Sequence, residues 1–218
     1  MDESEGRRAV GEREPASGQP IELDRPMRAD ARRNQELLIE AAREEFTEHG
    51  SAASMEAIAK RAGVGVGTLY RHFPKRIDVV EAVYRTDVDQ LVSAAADVAA
   101  LEPWDGLVSW MESFVHYAFG KRIFLSELHE AFEKNPGLKS DSRERIEGAM
   151  NDVLVRAQLA GEVRTDVDGA DLMQLLGTMC MSATLGEEQG QRLLQMILDG
   201  LRQPVGTPLQ SRGARASA

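Results

Sequence analysis

Uninterrupted apolar stretches are scarce in this chain of 218 residues. None approaches the ~18 to 20 residues that span a bilayer, so no integral membrane protein and no membrane partner is expected. The first thirty residues alternate charges with Gly, Pro and Ser and hold no apolar h-region, so no secretory signal is read there and a cytoplasmic location is expected. A single cysteine, Cys180, excludes an internal disulfide and suits a reducing compartment. It reads as a plain buried thiol, the alternative being a meeting with its own copy across a two-fold axis. The four histidines are scattered, and no Ser/His/Asp, paired-carboxylate or Cys/His arrangement stands out. An enzyme is therefore not expected, and no cofactor or metal is assigned. Alternating strand patterns and Asn-Gly hairpin signals are also missing, which points to an all-α fold.

What is present is ordinary in amount and uneven in placement. Hydrophobic residues make up 42% and charged residues 28%, as in a globular protein. A net charge of −10 argues against nonspecific nucleic-acid affinity, yet the average hides an asymmetry. Residues 1–27 carry four basic and seven acidic groups, residues 28–76 nine and seven, and residues 77–218 thirteen and twenty-two. Only the middle segment is positive. Its basic residues gather at its ends, Arg28, Arg32 and Arg33, then Arg71, Lys75 and Arg76, so a polyanion would dock there.

Residues 1–27 have few large apolar side chains and no periodicity, which predicts a disordered arm. From Arg28 to His49, Leu37, Leu38, Ala41, Ala42 and Phe46 recur at helical spacing before a stop at Gly50. Ser54 caps a second helix with Met55, Ile58, Ala59 and Ala62 on one face. Gly63 ends it, and Val64 to Phe73 reads as a third helix with Val64, Leu69 and Phe73 inward. Six further helices are expected over about 76–99, 103–119, 122–134, 136–160, 168–185 and 187–202, making about nine. The domains are then a helix-turn-helix unit over 28–76, a larger helical part over 77–204 and a disordered tail over 205–218.

The stretch AGVGVGTLYRHF, residues 62–73, raises two readings. A dinucleotide loop needs GxGxxG after a strand, but here the glycines stand at 63, 65 and 67, a helix precedes them, and no Lys-Ser or Lys-Thr pair follows. A helix-turn-helix needs a short capped helix, a turn glycine, a buried residue just after it and a second helix that opens on small residues. Every piece is present. Gly65, Val66, Gly67 and Thr68 would let the second helix come close to bases.

The stretch LLIEAAREEFTEHGSAASMEAIAKRAGVGVGTLYRHFPKR resembles the N-terminal DNA-binding domain of the tetracycline-repressor (TetR) family of transcriptional regulators, over about residues 30–85. The resemblance implies that Tyr70 and His72 hydrogen-bond phosphates while Val66, Gly67 and Thr68 face base edges. The alternative for Tyr70 and His72 is to tie the third helix to the fourth. Thr68 and Val66 offer little direct base readout, so DNA shape should matter. Ser54 caps its helix and leaves neighbouring amides to hold a phosphate, and Arg71 adds charge to the exposed face. Lys75 and Arg76 stand where positive charge opposes the dipole of the fourth helix, which a phosphate would explain. Arg28 and Arg32 either reach the duplex or lie on a solvated face. The partners expected are a double-stranded palindromic operator, a second copy of the chain and a small apolar or amphipathic effector of unknown identity. The function implied is a ligand-responsive regulator that represses. An activator or effector-independent regulator of the same fold is the alternative, and a helical protein-interaction module without DNA binding is another.

Leu172, Leu175, Leu176 and Met179 form one apolar stripe on the eighth helix, and Met173, Gly177, Cys180, Met181 and Thr184 a second. The first is expected to meet the chain's own core. The second, with Leu194, Ile197, Leu198 and Leu201 of the last helix, is expected to build a four-helix dimer interface. Bulky residues of the middle helices are more often core than ligand box, but the resemblance implies a cavity, for which Trp110, Met111, Phe114, Tyr117, Met150 and Met173 are lining candidates. Glu112 and His116, four apart, read as an exposed pair.

Overall fold

The computed structural model describes residues 24–202, apart from Ala183 and the side chains of residues 24–29. The expected arm up to residue 23 and the tail from 205 lie outside the described residues. Nine α-helices are found among the described residues: α1 (Asp24–His49), α2 (Met55–Arg61), α3 (Val66–His72), α4 (Arg76–Asp97), α5 (Pro103–Gly120), α6 (Leu125–Lys134), α7 (Pro136–Leu159), α8 (Gly169–Cys180) and α9 (Glu187–Leu201). The described residues form no strand, only an isolated antiparallel bridge between Val163 and Arg202.

Local chemistry explains most of the boundaries. Ser54 is extended, and its Oγ accepts from Ala57 N at 3.0 Å, which satisfies one of the free amides that open α2. Asn135 does the same for Leu138 N ahead of Pro136, and Asp168 and Asp171 bond each other's backbone amides at the start of α8. Gly63 (φ 68°) and Gly161 (φ 75°) are left-handed and stop α2 and α7. After α2, Gly63 N reaches Lys60 O and Val64 N reaches Ala59 O, a pairing that a side chain at position 63 would strain.

The first three helices form a head in which α1 packs on α2 and α2 on α3. In the larger part, α4, α5 and α7 pack on one another, α6 lies on α4 and α7, and α8 and α9 cover α5. α1 also packs against α4. One apolar core therefore runs from Leu38, Phe46, Ile58 and Leu69 in the head through Val80 and Val83 to Trp110, Met150, Leu176 and Leu194. Each such side chain contributes about 1.5–3 kcal/mol when taken fully out of water. Trp110 also donates from Nε1 to Leu91 O at 3.0 Å, fastening α5 to α4.

Some expectations move. Residues 24–27, read as part of the arm, belong to α1. Leu37 is exposed, because the buried stripe runs through Leu38, Ala41, Ala42 and Phe46. Val64 stands outside α3, half-buried in the turn, because its amide closes α2. Residues 121–124 wind as a 3₁₀ turn before α6, and α8 stops at Cys180, short of 185.

Candidate nucleic-acid interface

α2 and α3 are each seven residues long and meet through the four-residue turn 62–65. Arg61, at the end of α2, fixes this pair to α1. Its Nε donates to Glu45 at 2.7 Å, and its other nitrogens reach Glu44 at 3.1 Å and Glu48 at 2.7 Å. Glu45 is buried, so the contact also compensates a carboxylate that would otherwise be costly inside the head. The Arg61 hydrogen bond holds the Glu48 carboxyl below its usual range.

Only Leu69 of α3 is buried, with Phe73 just beyond it. Gly67 and Arg71 are exposed, Val66 and Tyr70 are 40% and 41% exposed, and Thr68 is half-buried. A side chain at Gly67 would meet nothing within 4 Å, and its φ is not positive. Nothing inside the chain asks for glycine there, although an exposed helical glycine costs ~1 kcal/mol relative to alanine. Gly65 opens the helix, and a Cβ added there would come no nearer than 3.9 Å to Thr68 Oγ1. Tyr70 Oη donates to Glu56 Oε1 at 3.3 Å, a long bond across the two helices at the exposed surface.

The basic residues divide into free and committed ones. Lys75 is exposed just before α4, and Arg71 and Arg32 are exposed as well. Arg28 lies in the first turns of α1, with its side chain outside the described residues. Arg76 departs from its expected phosphate role. Its guanidinium turns inward, donates to the carbonyl of Ala53, reaches Glu127 at 3.2 Å and lies 4.9 Å from the Phe46 ring centroid. It ties the start of α4 to the loop after α1, which offsets the unfavourable dipole without a phosphate. The Nε2 of His72 is buried without a partner and the ring lies beside Phe73, so this one of its two nitrogens is closed to an outside phosphate.

Two more sets of residues take their places in the larger part. Trp110, Met111, Phe114 and Met150 are fully or almost fully buried core, and Met173 packs against it. Of the six lining candidates only Tyr117 borders the cavity of about 880 Å³ that lies among α1, α4 and α5. That cavity is walled largely by polar residues, among them Arg43, Asp87, Gln90 and Ser113, which sequence reading missed. Glu112 and His116 are exposed on its wall. Among the described residues no group of three metal-capable side chains occurs.

The expected dimer set is reassigned in part. Cys180, Leu194, Leu198 and Leu201 are buried in the chain's own core, whereas Met181 and Thr184 are exposed and Met173, Gly177 and Ile197 half-buried. Leu175, placed in the inward stripe from sequence, is 51% exposed, and Met196 is 67% exposed. With Met179, Leu193, Ile197 and Gly200 they line an apolar groove of about 450 Å³. The two stripes of α8 are equally apolar, so their spacing alone does not choose which one turns inward.

A short clamped helix followed by a seven-residue helix with an exposed glycine-bearing face defines a helix-turn-helix DNA-binding protein. Residues 38–83 match the model described as bacterial regulatory proteins, tetR family, and residues 102–203 the model for the C-terminal domain of SbtR-like transcriptional regulators. The chain belongs to the TetR family of transcriptional regulators. It is similar to the solved TetR regulator SCO0520 of Streptomyces coelicolor, with 34% identity, a TM-score of 0.69 and coverage of 77% of this chain and 98% of that one. A TetR regulatory protein of Mycobacterium vanbaalenii aligns at 32% identity and a TM-score of 0.64, covering 82% of this chain and all of that one. Among curated relatives, the regulator UidR of Escherichia coli K12 is 28% identical over 155 residues, 69% of this chain and 79% of UidR. No helix among the described residues is long and apolar enough to cross a membrane.

Proposed function

We propose that this regulator represses transcription by binding a two-fold symmetric operator as a homodimer, and that a small molecule bound in the larger helical part releases it. The observation that carries the DNA contact is the outer face of α3. Val66, Gly67, Tyr70 and Arg71 stand exposed together, and Gly67 gives up helix stability for open space that only an outside surface can use. Arg71 and Lys75 supply charge beside that face, so phosphates orient the head and the face of α3 meets the groove. The apolar groove of α8 and α9 supports a second copy as partner, since two heads ~34 to 36 Å apart match successive turns of a duplex. Release follows as a population shift if the effector favours a head separation that no longer fits.

The test is an anisotropy titration of the full chain against the DNA upstream of its own gene and against a scrambled duplex, at several salt concentrations. Tighter, salt-sensitive binding to the upstream DNA is expected. Equal or salt-insensitive binding overturns the reading.

A further inference from the structure

The cavity among α1, α4 and α5 differs from the apolar box expected of an effector site, and its unpaired hydrogen-bonding groups identify what would fill it. Tyr117 is 9% exposed, and its Oη is buried with no hydrogen-bond partner among the described residues. The nearby Tyr84 phenol makes no bond of normal geometry with it. Burial pushes the Tyr117 phenol well above its ordinary value, so it stays a neutral hydroxyl that can both donate and accept. Leaving such a group unpaired is costly, and a ligand hydroxyl would remove the cost.

Arg43 of α1 and Asp87 of α4 line the same cavity. Arg43 Nε donates to Asp87 Oδ1 at 2.8 Å. Arg43 Nη2 lies 2.7 Å from that same oxygen but makes no hydrogen bond of acceptable geometry. No protein hydrogen bond among the described residues reaches Asp87 Oδ2. Burial raises the Asp87 carboxyl above its ordinary value against the pull of Arg43, so the pair is incompletely compensated. Gln90, Ser113 and Gln191 complete a wall of mixed donors and acceptors.

The groups left without a hydrogen bond are thus a donor on Arg43, an acceptor on Asp87 and the Tyr117 hydroxyl, which is both, and because the Arg43 and Tyr117 atoms are covered in the unliganded chain, a ligand would reach them by displacing the side chains over them. A carboxylate ligand offers only acceptors, an ammonium only donors, and an alkyl group would cover the ion pair while returning no hydrogen bond. Arg43 and Asp87 already pair with each other, so neither of them favours a charged guest. A volume of about 880 Å³ suits a small molecule.

We propose that this cavity binds a neutral, polyhydroxylated small molecule through Tyr117, Arg43 and Asp87, and that the Arg43–Asp87 pair is where it acts on the head. The proposal rests on the effector-responsive reading above. The pair joins α1 to α4, so a ligand hydroxyl competing for Asp87 loosens a tie between the reading head and the rest of the chain.

The experiment uses the full chain with three neutral probes, myo-inositol, glucose and sucrose, beside decanol, citrate and spermidine. Thermal melts and calorimetry are run on the natural protein and on Tyr117→Phe. At least one neutral probe is expected to raise Tm saturably at millimolar concentration. Tyr117→Phe should weaken that binding about tenfold and leave the unliganded Tm equal or higher, because it removes only an unpaired hydroxyl. The proposal is overturned if none of the three binds saturably, if only decanol or a charged probe does, or if Tyr117→Phe lowers the unliganded Tm or leaves affinity unchanged. The DNA titration separates the two ideas. Duplex binding without a polyol response sinks the site alone, and a polyol response without duplex binding sinks the regulator reading and leaves the site.

Discussion

Two neighbouring cations, Lys75 and Arg76, have opposite fates, and the difference is a matter of where each side chain can find acceptors. Arg76 is long and forked enough to reach a backbone carbonyl, Glu127 and the Phe46 face together. Lys75 is left in solvent. Lys75→Ala is therefore expected to weaken binding to all duplexes alike and to flatten the salt slope by about 0.9, read from titrations at several ionic strengths. Arg76→Ala should instead destabilise the fold by about 2 kcal/mol, through unpaired groups in the head, and lower Tm by about 4–8 °C. A melt unchanged by Arg76→Ala would return that residue to the DNA surface. Gly67 provides the converse case. Gly67→Ala fills open space on an exposed helix, so Tm should rise by about 2–4 °C while affinity for the operator drops. If the alanine variant binds as tightly as the natural protein, the close approach of α3 to DNA is wrong.

Among the elements, α2, α4, α5, α7 and α9 were legible almost to the residue, because caps and stops such as Ser54, Gly63, Asn135 and Gly161 act locally. The facing of α8 was not. Its residues are apolar or small on both sides, and the side that turns inward is decided by the neighbours α7 and α5, which periodicity does not name. The outcome leaves Leu175 and Met196 in solvent on adjacent helices, where charge is cheap in the single chain and costly once buried against a copy. If the proposed dimer forms through this groove, Leu175→Glu combined with Met196→Glu should shift the protein from dimer to monomer in sedimentation velocity with little loss of helix content. A dimer that survives both changes places the interface elsewhere.

At the scale of the molecule, the head and the larger part share one apolar core across the start of α4. Separate melting of the head would leave Leu38, Phe46 and Val80 partly uncovered. Far-UV circular dichroism, which follows all helices, and tryptophan fluorescence, which follows Trp104 and Trp110 in the larger part, should therefore trace the same thermal transition. An earlier transition seen by circular dichroism alone would show that the head unfolds by itself. The helix-turn-helix could be recognised from residues 54–73 alone, since its cap, turn glycine and inward Leu69 are fixed by chemistry within a few positions. Which cations stay free, which stripe of α8 is covered and where a cavity opens depend on residues far apart in the chain. Arg76 finds Glu127 fifty-one positions away, and Arg43 finds Asp87 forty-four away. Periodicity states which side chains share a face, and only the packed chain states what that face meets.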